Sequence, residues 1–234
     1  MAELVEETPG CVLAVYAHPD DADVACGGTL ARWAAAGAAV HVLVCTTGDK
    51  GSSDPATDPA SLAEQRAGEM REAAGVLGVE GRRLGHADGD LYDQRLLTGQ
   101  IVGVVRSVRP DTVVCPDPTA VFFGEHYFNH RDHRAVGWAT LDAVAPAASQ
   151  PHYFPEAGPP HLVSTVLMTG TIAPDVWVDV SSSLELKTKA ILCHKSQLGE
   201  GTEWFRNVVR QRAEEGGRQA GVRHAEGFRR LRLA

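Results

Sequence analysis

The sequence predicts an α/β fold of the Rossmann-like type, with a mostly parallel sheet flanked by helices. Two observations lead to this fold class. Short apolar runs such as residues 11–17 (CVLAVYA) and 40–45 (VHVLVC) alternate with longer helical segments, which is typical of parallel β-α-β pairing. Polar segments follow each of the first four runs, and ligands of open parallel sheets gather outside the carboxyl ends of the strands. We therefore expect the active site at that edge of the sheet.

The individual strands and helices are predicted from the apolar and polar residues within each short segment of the sequence. Strands are expected where short runs are rich in β-branched and apolar residues, which suit a buried parallel strand. These runs are residues 11–17, 40–45, 83–86, 112–115, 163–168 and 176–180. Helices are expected over longer segments, two of which end at a C-cap glycine, Gly37 or Gly78. These segments are residues 24–36, 59–77, 96–108, about 130–144, and 184–198.

Length and charge limit the domain organisation and the partners. The chain has 234 residues, of which 44% are apolar, which is enough for one core. We expect a single domain over residues 1–234, with residues 199–234 as a C-terminal extension over the site. The net charge of -8 argues against nucleic acid as a partner, because phosphate binding needs a dominant positive field. The Arg-rich stretch 223–232 is expected to pair with acidic groups of the protein itself.

Cysteine usage and the N-terminal segment predict a cytoplasmic protein without membrane contact. The five cysteines are widely spaced and form no CxxC pair, which indicates a reducing compartment. The first ten residues, MAELVEETPG, have no signal-peptide pattern. No apolar run reaches the roughly 18 residues that a membrane helix needs. A homo-oligomer is compatible with the sequence.

The first candidate site lies directly after the first predicted strand, where the chain reads His18-Pro19-Asp20-Asp21. Imidazole and carboxylate groups both suit Zn²⁺. If the chain turns tightly at the proline, His18 and Asp21 converge on one ion while Asp20 points elsewhere. For the two aspartates alone, capping of the next helix is an equal alternative.

A second cluster follows the fourth predicted strand. It favours metal binding over helix capping as the role of the first cluster. His130 and His133 are three residues apart at the start of a helix, with Asp132 between them, so they share one face of its first turn. The topology brings this turn beside the first cluster. His18, Asp21 and His133 then supply three protein ligands and leave a fourth position open, as in catalytic zinc sites.

Five motifs together resemble the LmbE/PIG-L deacetylases, over roughly residues 11–198. They are AHPDD at 17–21, an Arg-x-x-Glu helix ending in Leu-Gly-Val at 65–79, HADGDL at 86–91, HRDHRAVG at 130–137, and His-x-Ser-Gln at 194–197. The resemblance implies a zinc-dependent enzyme that hydrolyses the N-acetyl group of a small N-acetylglucosamine-type substrate, such as a thiol-pathway or natural-product conjugate. Iron is an alternative to zinc, since His and carboxylate ligands accept both metals.

The resemblance also implies roles for single residues. It makes His18, Asp21 and His133 the metal ligands, and it makes Asp20 the general base that takes a proton from the attacking water. His130, oriented by Asp132, would be an imidazolium or a hydrogen-bond donor to the oxyanion and the leaving amine. The resemblance also implies that Arg66 and Asp88 contact the substrate. A structural ion pair is an equal alternative for each of these two side chains.

Two positions depart from the family pattern. The first motif usually continues with Glu, whereas this chain has Ala22 followed by Asp23. Some sugar deacetylases carry an oxyanion-donating Tyr two residues before the histidine equivalent to His130. This chain has Phe128 there and Tyr127 beside it, which weakens the likeness to those sugar enzymes.

The sequence offers two alternative functions and two further motifs. An amidase that cleaves a larger N-acyl group from a glucosamine-type conjugate would use the same residues. A nonhydrolytic, metal-binding or ligand-binding relative is disfavoured by the presence of all six His and Asp residues of the two clusters. Gly27-Gly28 after the first strand lacks the G-x-G-x-x-G spacing of a dinucleotide loop. His194 either lines the pocket floor or bonds a helix carbonyl.

Overall fold

A computed structural model describes residues 3–199 and 201–233. Its central sheet has eight strands: β1 Glu3–Leu4, β2 Cys11–Tyr16, β3 Ala39–Thr46, β4 Glu80–His86, β5 Thr112–Pro116, β8 Thr165–Thr169, β9 Val176–Asp179 and β10 Ala225–Arg232. A short hairpin pairs β6 Phe122–Phe123 with β7 Tyr127–Phe128. The helices are α1 Asp21–Ala35, α2 Pro59–Leu77, α3 Gln94–Val108, α4 Arg131–Asp142, α5 Leu184–Ile191, α6 Lys195–Leu198 and α7 Thr202–Ala220.

The sheet is mostly parallel, as predicted. Its strand order is β1-β9-β10-β8-β5-β2-β3-β4. β2 pairs in parallel with both β3 and β5, and β5 pairs in parallel with β8. Among the described strands of this sheet, only β10 runs antiparallel to its neighbours, β8 and β9. The carboxyl ends of β2 to β5 therefore meet at one edge, where parallel sheets bind ligands.

Helices cover both faces of the sheet, so the central strands are apolar throughout. On β2, Leu13 and Val15 face a core with Ile101 of α3 and Val136 of α4. The alternate residues of β2 face a second core, which contains residues of α1 and α2. Burial on both faces explains the continuous apolar run that predicted β2. No helix in the described residues is long and apolar enough to span a membrane.

Several boundaries differ from the predicted ones. The helix predicted over residues 184–198 is two helices, α5 and α6, separated at residues 192–194. α1 begins at Asp21 rather than residue 24, which places the second aspartate of the first motif in the helix. α2 has the predicted bounds, with Gly78 as its left-handed C-cap at φ 73°.

The C-terminal residues form two elements that the sequence did not indicate. α7 packs on β9, β10 and α5, and β10 lies between β8 and β9 inside the sheet. Residues 225–232 are thus a strand of the central sheet, although we expected them to belong to an extension over the site. Arg230 and Arg232 contact Glu3 at 2.6 and 3.3 Å, which agrees with the expected pairing of this stretch with acidic groups.

A carboxylate from β10 completes α1 at an internal break. Cys26 has φ −144°, outside helical geometry, so α1 consists of two segments. N–H groups at the start of a helical segment lack partners in the preceding turn, and here Gly28 N and Thr29 N donate to Glu226 at 3.1 and 2.8 Å. Lys187 Nζ lies 2.5 Å from the same carboxylate. A Cβ on Gly28 would lie 2.9 Å from Val180 Cβ, so close packing, not dinucleotide binding, explains this glycine.

The cysteines allow a first prediction. All five are free thiols, and Cys26, Cys45 and Cys115 are completely buried. Burial raises the pKa of these three thiols far above its ordinary value, and a protonated thiol is a poor nucleophile. We expect a chromogenic disulfide reagent to modify at most Cys11 and Cys193 in the native protein and all five thiols after unfolding. Three or more fast-reacting thiols in the native protein would contradict the described packing.

Candidate metal and active site

The first motif forms a closed turn between β2 and α1. The Asp21 N–H donates to His18 O at 3.2 Å, and the His18 N–H donates to Asp21 Oδ2 at 2.8 Å. These two bonds fold residues 18–21 back on themselves. As expected, the His18 and Asp21 side chains converge while Asp20 points away from them. Asp20 and Asp21 therefore have different contacts even though they are adjacent in sequence.

The second motif brings His133 to the same point. His133 Nε2 lies 3.2 Å from His18 Nδ1 and 3.1 Å from Asp21 Oδ1. His18 Nδ1 lies 3.3 Å from Asp21 Oδ2. His133 Nδ1 is 3.2 Å from the Oδ1 of Asn129, which is buried. An outer hydrogen bond of this kind orients the ring of a metal-binding histidine, and Asn129 was not identified from the sequence.

Two further carboxylates surround the other nitrogen of His18. His18 Nε2 lies 3.1 Å from Asp88 Oδ1 and 3.7 Å from Asp132 Oδ2. Asp88 thus contacts a candidate metal ligand, whereas the resemblance implied a substrate contact. Asp132 is completely buried and also accepts the Gly89 N–H at 2.7 Å. One Asp132 oxygen, Oδ1, has no hydrogen-bond partner among the described residues.

The cluster is strongly negative, and its histidine titration reflects this. Burial alone would lower the pKa of His18, but the charge of Asp21 and hydrogen bonds to Asp132, Asp21 and Asp88 raise it to about 12. Burial opposes ionisation of Asp21 as well, yet His133 and His18 hold its pKa well below the ordinary value. A concentration of carboxylates that stabilises positive charge is also what a divalent cation requires.

Several donor sets could hold that cation. Ligand atoms of His18, His130 and His133 lie within 4.8 Å of one another, as do those of His18, Asp88, His130 and Asp132. The predicted triad of His18, Asp21 and His133 is in mutual contact at 3.1–3.3 Å. His18 belongs to all three sets. Nitrogen and carboxylate donors together fit a divalent transition metal.

Asp20 is held by a buried arginine. Arg66 Nη2 donates to Asp20 Oδ1 at 2.8 Å, and Arg66 Nη1 donates to Gly48 O at 3.0 Å. The Arg66 side chain is only 3% exposed, whereas that of Asp20 is 26% exposed. This geometry corresponds to the ion-pair alternative for Arg66 rather than a sugar contact. The bond from Arg66 fixes the Asp20 carboxylate in one orientation. The second oxygen of Asp20, Oδ2, has no hydrogen-bond partner in the described residues.

His130 is an exposed group at the N-terminus of α4. The backbone N–H of Asp132 donates to His130 Nδ1 at 3.2 Å, so Asp132 contacts this ring through its backbone and not through its carboxylate. A ring that accepts at Nδ1 carries its proton on Nε2 when neutral. Although the residue as a whole is exposed, partial desolvation of its ring beside the cluster and the nearby charge of His18 lower the pKa of His130, which favours the neutral form. His130 thus presents an Nε2–H donor.

The late His-x-Ser-Gln segment, residues 194–197, forms hydrogen bonds to α1, to α2 and to the loop after β3. His194 is buried and lies 2.6 Å from Asp23, so it neither lines a pocket floor nor bonds a helix carbonyl through this nitrogen. Asp23, which follows Ala22 at the departure from the family pattern, is thus paired with His194. The Ser196 hydroxyl donates to Glu69 at 2.6 Å, and Gln197 donates to Gly51 O at 3.2 Å.

A family model described as PIG-L, GlcNAc-PI de-N-acetylase, matches residues 13–144. The chain belongs to the PIG-L family. The match spans more than half of the 234 residues and includes both motifs that form the cluster. The resemblance stated from the five sequence motifs is therefore confirmed.

Named relatives of this PIG-L family chain are deacetylases of amino sugars. Diacetylchitobiose deacetylase of Thermococcus kodakarensis is 34% identical over 93% of the chain and 82% of its own length. The 1D-myo-inositol 2-acetamido-2-deoxy-alpha-D-glucopyranoside deacetylase of Rhodococcus jostii is 32% identical over 82% of the chain and 84% of its own length.

A solved structure supports the same relationship. N,N'-diacetylchitobiose deacetylase from Pyrococcus horikoshii, solved with its inhibitor MPG, superposes with a TM-score of 0.87 at 30% identity. The superposition covers 96% of this chain and 84% of the Pyrococcus chain. The PIG-L fold thus extends beyond the residues 13–144 matched by the family model to nearly the whole chain, including the C-terminal elements.

Proposed function

We propose that this protein is a zinc-dependent hydrolase that removes the acetyl group from a small N-acetylglucosamine-type substrate. The mutual contact of His18, Asp21 and His133 carries the proposal. Ligand atoms of tetrahedral zinc bonded at about 2.0–2.1 Å lie about 3.3 Å apart. His18 Nδ1 and His133 Nε2 are 3.2 Å apart, and Asp21 meets each ring through a different oxygen, with Oδ2 3.3 Å from His18 Nδ1 and Oδ1 3.1 Å from His133 Nε2. Membership of the PIG-L family and the named amino-sugar deacetylases support the substrate class.

The three ligands would hold the ion at the carboxyl edge of the sheet with a position left open for water. When bound, zinc supplies Lewis-acid activation of that water and of the amide carbonyl. Asp88 and Asp132 contact His18 Nε2, so they restrain the ring and leave Nδ1 for the ion. Asn129 restrains His133 in the same way.

Asp20 is the general base of the proposed reaction. Its Oδ1 is occupied by Arg66 at 2.8 Å, which orients the carboxylate and leaves Oδ2 to take a proton from the attacking water. Proton transfer through a positioned carboxylate then allows the water oxygen to bond to the acetyl carbon. The same carboxyl group can return the proton to the amine as the C–N bond breaks.

His130 is the proposed donor to the substrate oxyanion. Its Nε2–H is presented at the N-terminus of α4, and hydrogen-bond donors aimed at developing negative charge lower the barrier of acyl transfer. Phe128 cannot supply the hydroxyl that some sugar deacetylases use. Tyr127 lies on β7, the strand of the hairpin that pairs with β6. Its hydroxyl makes no hydrogen bond to the described site residues. The donor role therefore rests on His130.

The metal requirement is tested by removing the metal. Dialysis against a chelator is expected to abolish acetate release from N-acetylglucosaminides, and about one equivalent of Zn²⁺ per chain should restore it; Fe²⁺ is tested in parallel. His133→Ala should fail to regain metal. His41→Ala, at the opposite end of β3 from the site, is the matched control and should regain it. Undiminished acetate release without metal, or no release from any N-acetyl sugar, would overturn the proposal.

The same assay separates acetyl from larger acyl groups. Substrates that differ only in acyl length, from acetyl to octanoyl on glucosamine, distinguish the deacetylase from an amidase of the same chemistry. We expect acetyl to be hydrolysed fastest.

We also propose that residues 1–234 act as one domain, which is supported by the position of β10 inside the sheet that carries the site.

A further inference from the structure

A polar cavity is lined by α5, α7 and the segment before β10. Its volume is about 360 Å³, which is within the range of small-ligand sites. Ser181 and His224 line it just beyond the end of β9 and just before the start of β10. β9 and β10 are four and three strands away from β2 in the sheet, which corresponds to about 14–19 Å at roughly 4.8 Å per strand. The cavity is therefore separate from the candidate active site.

Three arginine side chains line this cavity. Arg206 and Arg210 are four residues apart on α7, so they share one face of that helix, and Arg223 lies in the segment after it. Arg206 is paired with Glu203, which also lines the cavity, at 3.5 Å. Arg210 and Arg223 form no ion pair with the described residues. Two guanidinium groups of the cavity are thus not bonded to a carboxylate of the described chain.

His224 is a further group of the cavity wall that other parts of the protein do not engage. The residue is only 6% exposed. Its backbone is fixed, because its N–H donates to Ser181 Oγ at 3.1 Å and its carbonyl accepts the Val180 N–H at 3.0 Å. The ring forms no hydrogen bond with the described residues, and its Nδ1 is a buried atom without a partner there. Buried polar side chains are normally hydrogen-bonded, so this ring is suited to a ligand.

Positive charge outweighs negative charge at the His224 ring. Burial lowers the pKa of the ring, and neighbouring charges lower it further or raise it. Arg223 lowers the pKa more than Glu214 raises it, and Arg210 lowers it more than Asp179 raises it. A positive potential inside a concave site attracts anions.

Close packing of α7 holds these groups in place. A Cβ at Gly217 of α7 would lie 2.5 Å from Arg223 O, so a glycine is needed for the helix to approach this segment. The backbone of Arg223 and His224 is therefore fixed relative to the α7 face that carries Arg210. Groups that are already positioned bind a ligand with a smaller loss of conformational entropy.

We propose that this cavity binds an organic phosphate monoester, with its phosphoryl group on Arg210, Arg223 and His224. Guanidinium groups bind phosphate oxygens through paired, charge-assisted hydrogen bonds. Another part of the wall carries Glu185 and Thr188, whose oxygen atoms suit hydroxyl groups rather than a second anion. The organic part of the ligand is therefore a small polyol. This binding site is independent of the proposed function, and no bond of the ligand is cleaved there.

The test is calorimetric titration of the metal-loaded protein with glycerol 3-phosphate. We expect one equivalent to bind, inorganic phosphate to bind more weakly, and glycerol not to bind. Arg210→Ala and Arg223→Ala should each raise the Kd about 10-fold or more, which is the usual loss for hydrogen bonds between charged groups. Arg218→Ala is the matched control, because Arg218 is an exposed arginine of α7 outside the cavity. It should keep the wild-type Kd.

Thermal unfolding separates lost binding from a damaged fold. Arg210 and Arg223 are exposed, so both variants should keep the wild-type melting temperature without ligand. Glycerol 3-phosphate at 100 times the wild-type Kd should raise the wild-type melting temperature by about 5–10 °C, and that of Arg210→Ala by about half as much or less.

The metal cluster is the competing site for a phosphate. Binding that survives Arg210→Ala and Arg223→Ala but is lost in metal-free His133→Ala protein would place the anion at the metal and overturn the inference. The absence of saturable binding up to about 10 mM glycerol 3-phosphate, or an equal loss of affinity in Arg218→Ala, would also overturn it. Acetate release is not part of this test, so a failure of the proposed function leaves the result unaffected.

Discussion

Asp20→Asn protein is expected to bind its metal normally and to lose at least about 100-fold in kcat for acetate release. The amide oxygen of asparagine can still accept the hydrogen bond from Arg66, which is 2.8 Å from Asp20 Oδ1. The orientation of the side chain is therefore preserved. What the variant loses is a group basic enough to take a proton from water. The loss should thus appear in kcat, with little change in KM, because Asp20 is not among the proposed metal ligands.

The measurement is steady-state acetate release together with metal content by mass spectrometry. Asp142→Asn is a matched control, since Asp142 is exposed at the end of α4 and should leave kcat within about 2-fold of wild type. Asp20→Asn protein with full metal and a wild-type kcat would show that Asp20 is not the base. Loss of metal from the variant would instead make Asp20 a ligand.

Glu226→Ala is expected to lower the free energy of unfolding by about 3–5 kcal/mol, because it leaves a buried charge without its partner. Glu226 and Lys187 are each 6% exposed, and their charged atoms are 2.5 Å apart. The substitution also removes the acceptor of the Gly28 and Thr29 N–H groups at the break in α1. For a chain of this size, the melting temperature should fall by about 6–20 °C.

Urea unfolding and calorimetry measure this loss. Glu185→Ala, an exposed glutamate on α5, is the matched control and should change the unfolding free energy by no more than about 0.5 kcal/mol. The double variant Glu226→Gln with Lys187→Met removes both charges and should recover part of the stability. Equal stability of Glu226→Ala and wild type would show that the pair contributes nothing net to the fold.

Much of the fold could be predicted because its signals are local. The apolar runs of β2, β3 and β5 are buried on both faces. A strand of this kind can be recognised from its own continuous apolar sequence, without knowledge of the strands that pair with it. The bounds of α2 follow from its N-terminal proline and its left-handed Gly78. β10 was missed for the opposite reason. Its sequence, AEGFRRLR, has neither a continuous apolar run nor strict alternation, since one end is buried and the other is exposed.

For the candidate site, too, one part could be predicted from the sequence and another part could not. The sequence by itself identified the groups that we propose carry the chemistry, because His18, Asp20 and Asp21 share one turn and His130 and His133 share one helix start. Only the tertiary structure decided what those groups contact. Arg66 meets Asp20 across 46 residues of chain and Glu226 meets Gly28 across 198, and such pairings depend on how helices and strands pack. Local spacing specifies a side chain and its direction, whereas its partner is specified by the rest of the fold.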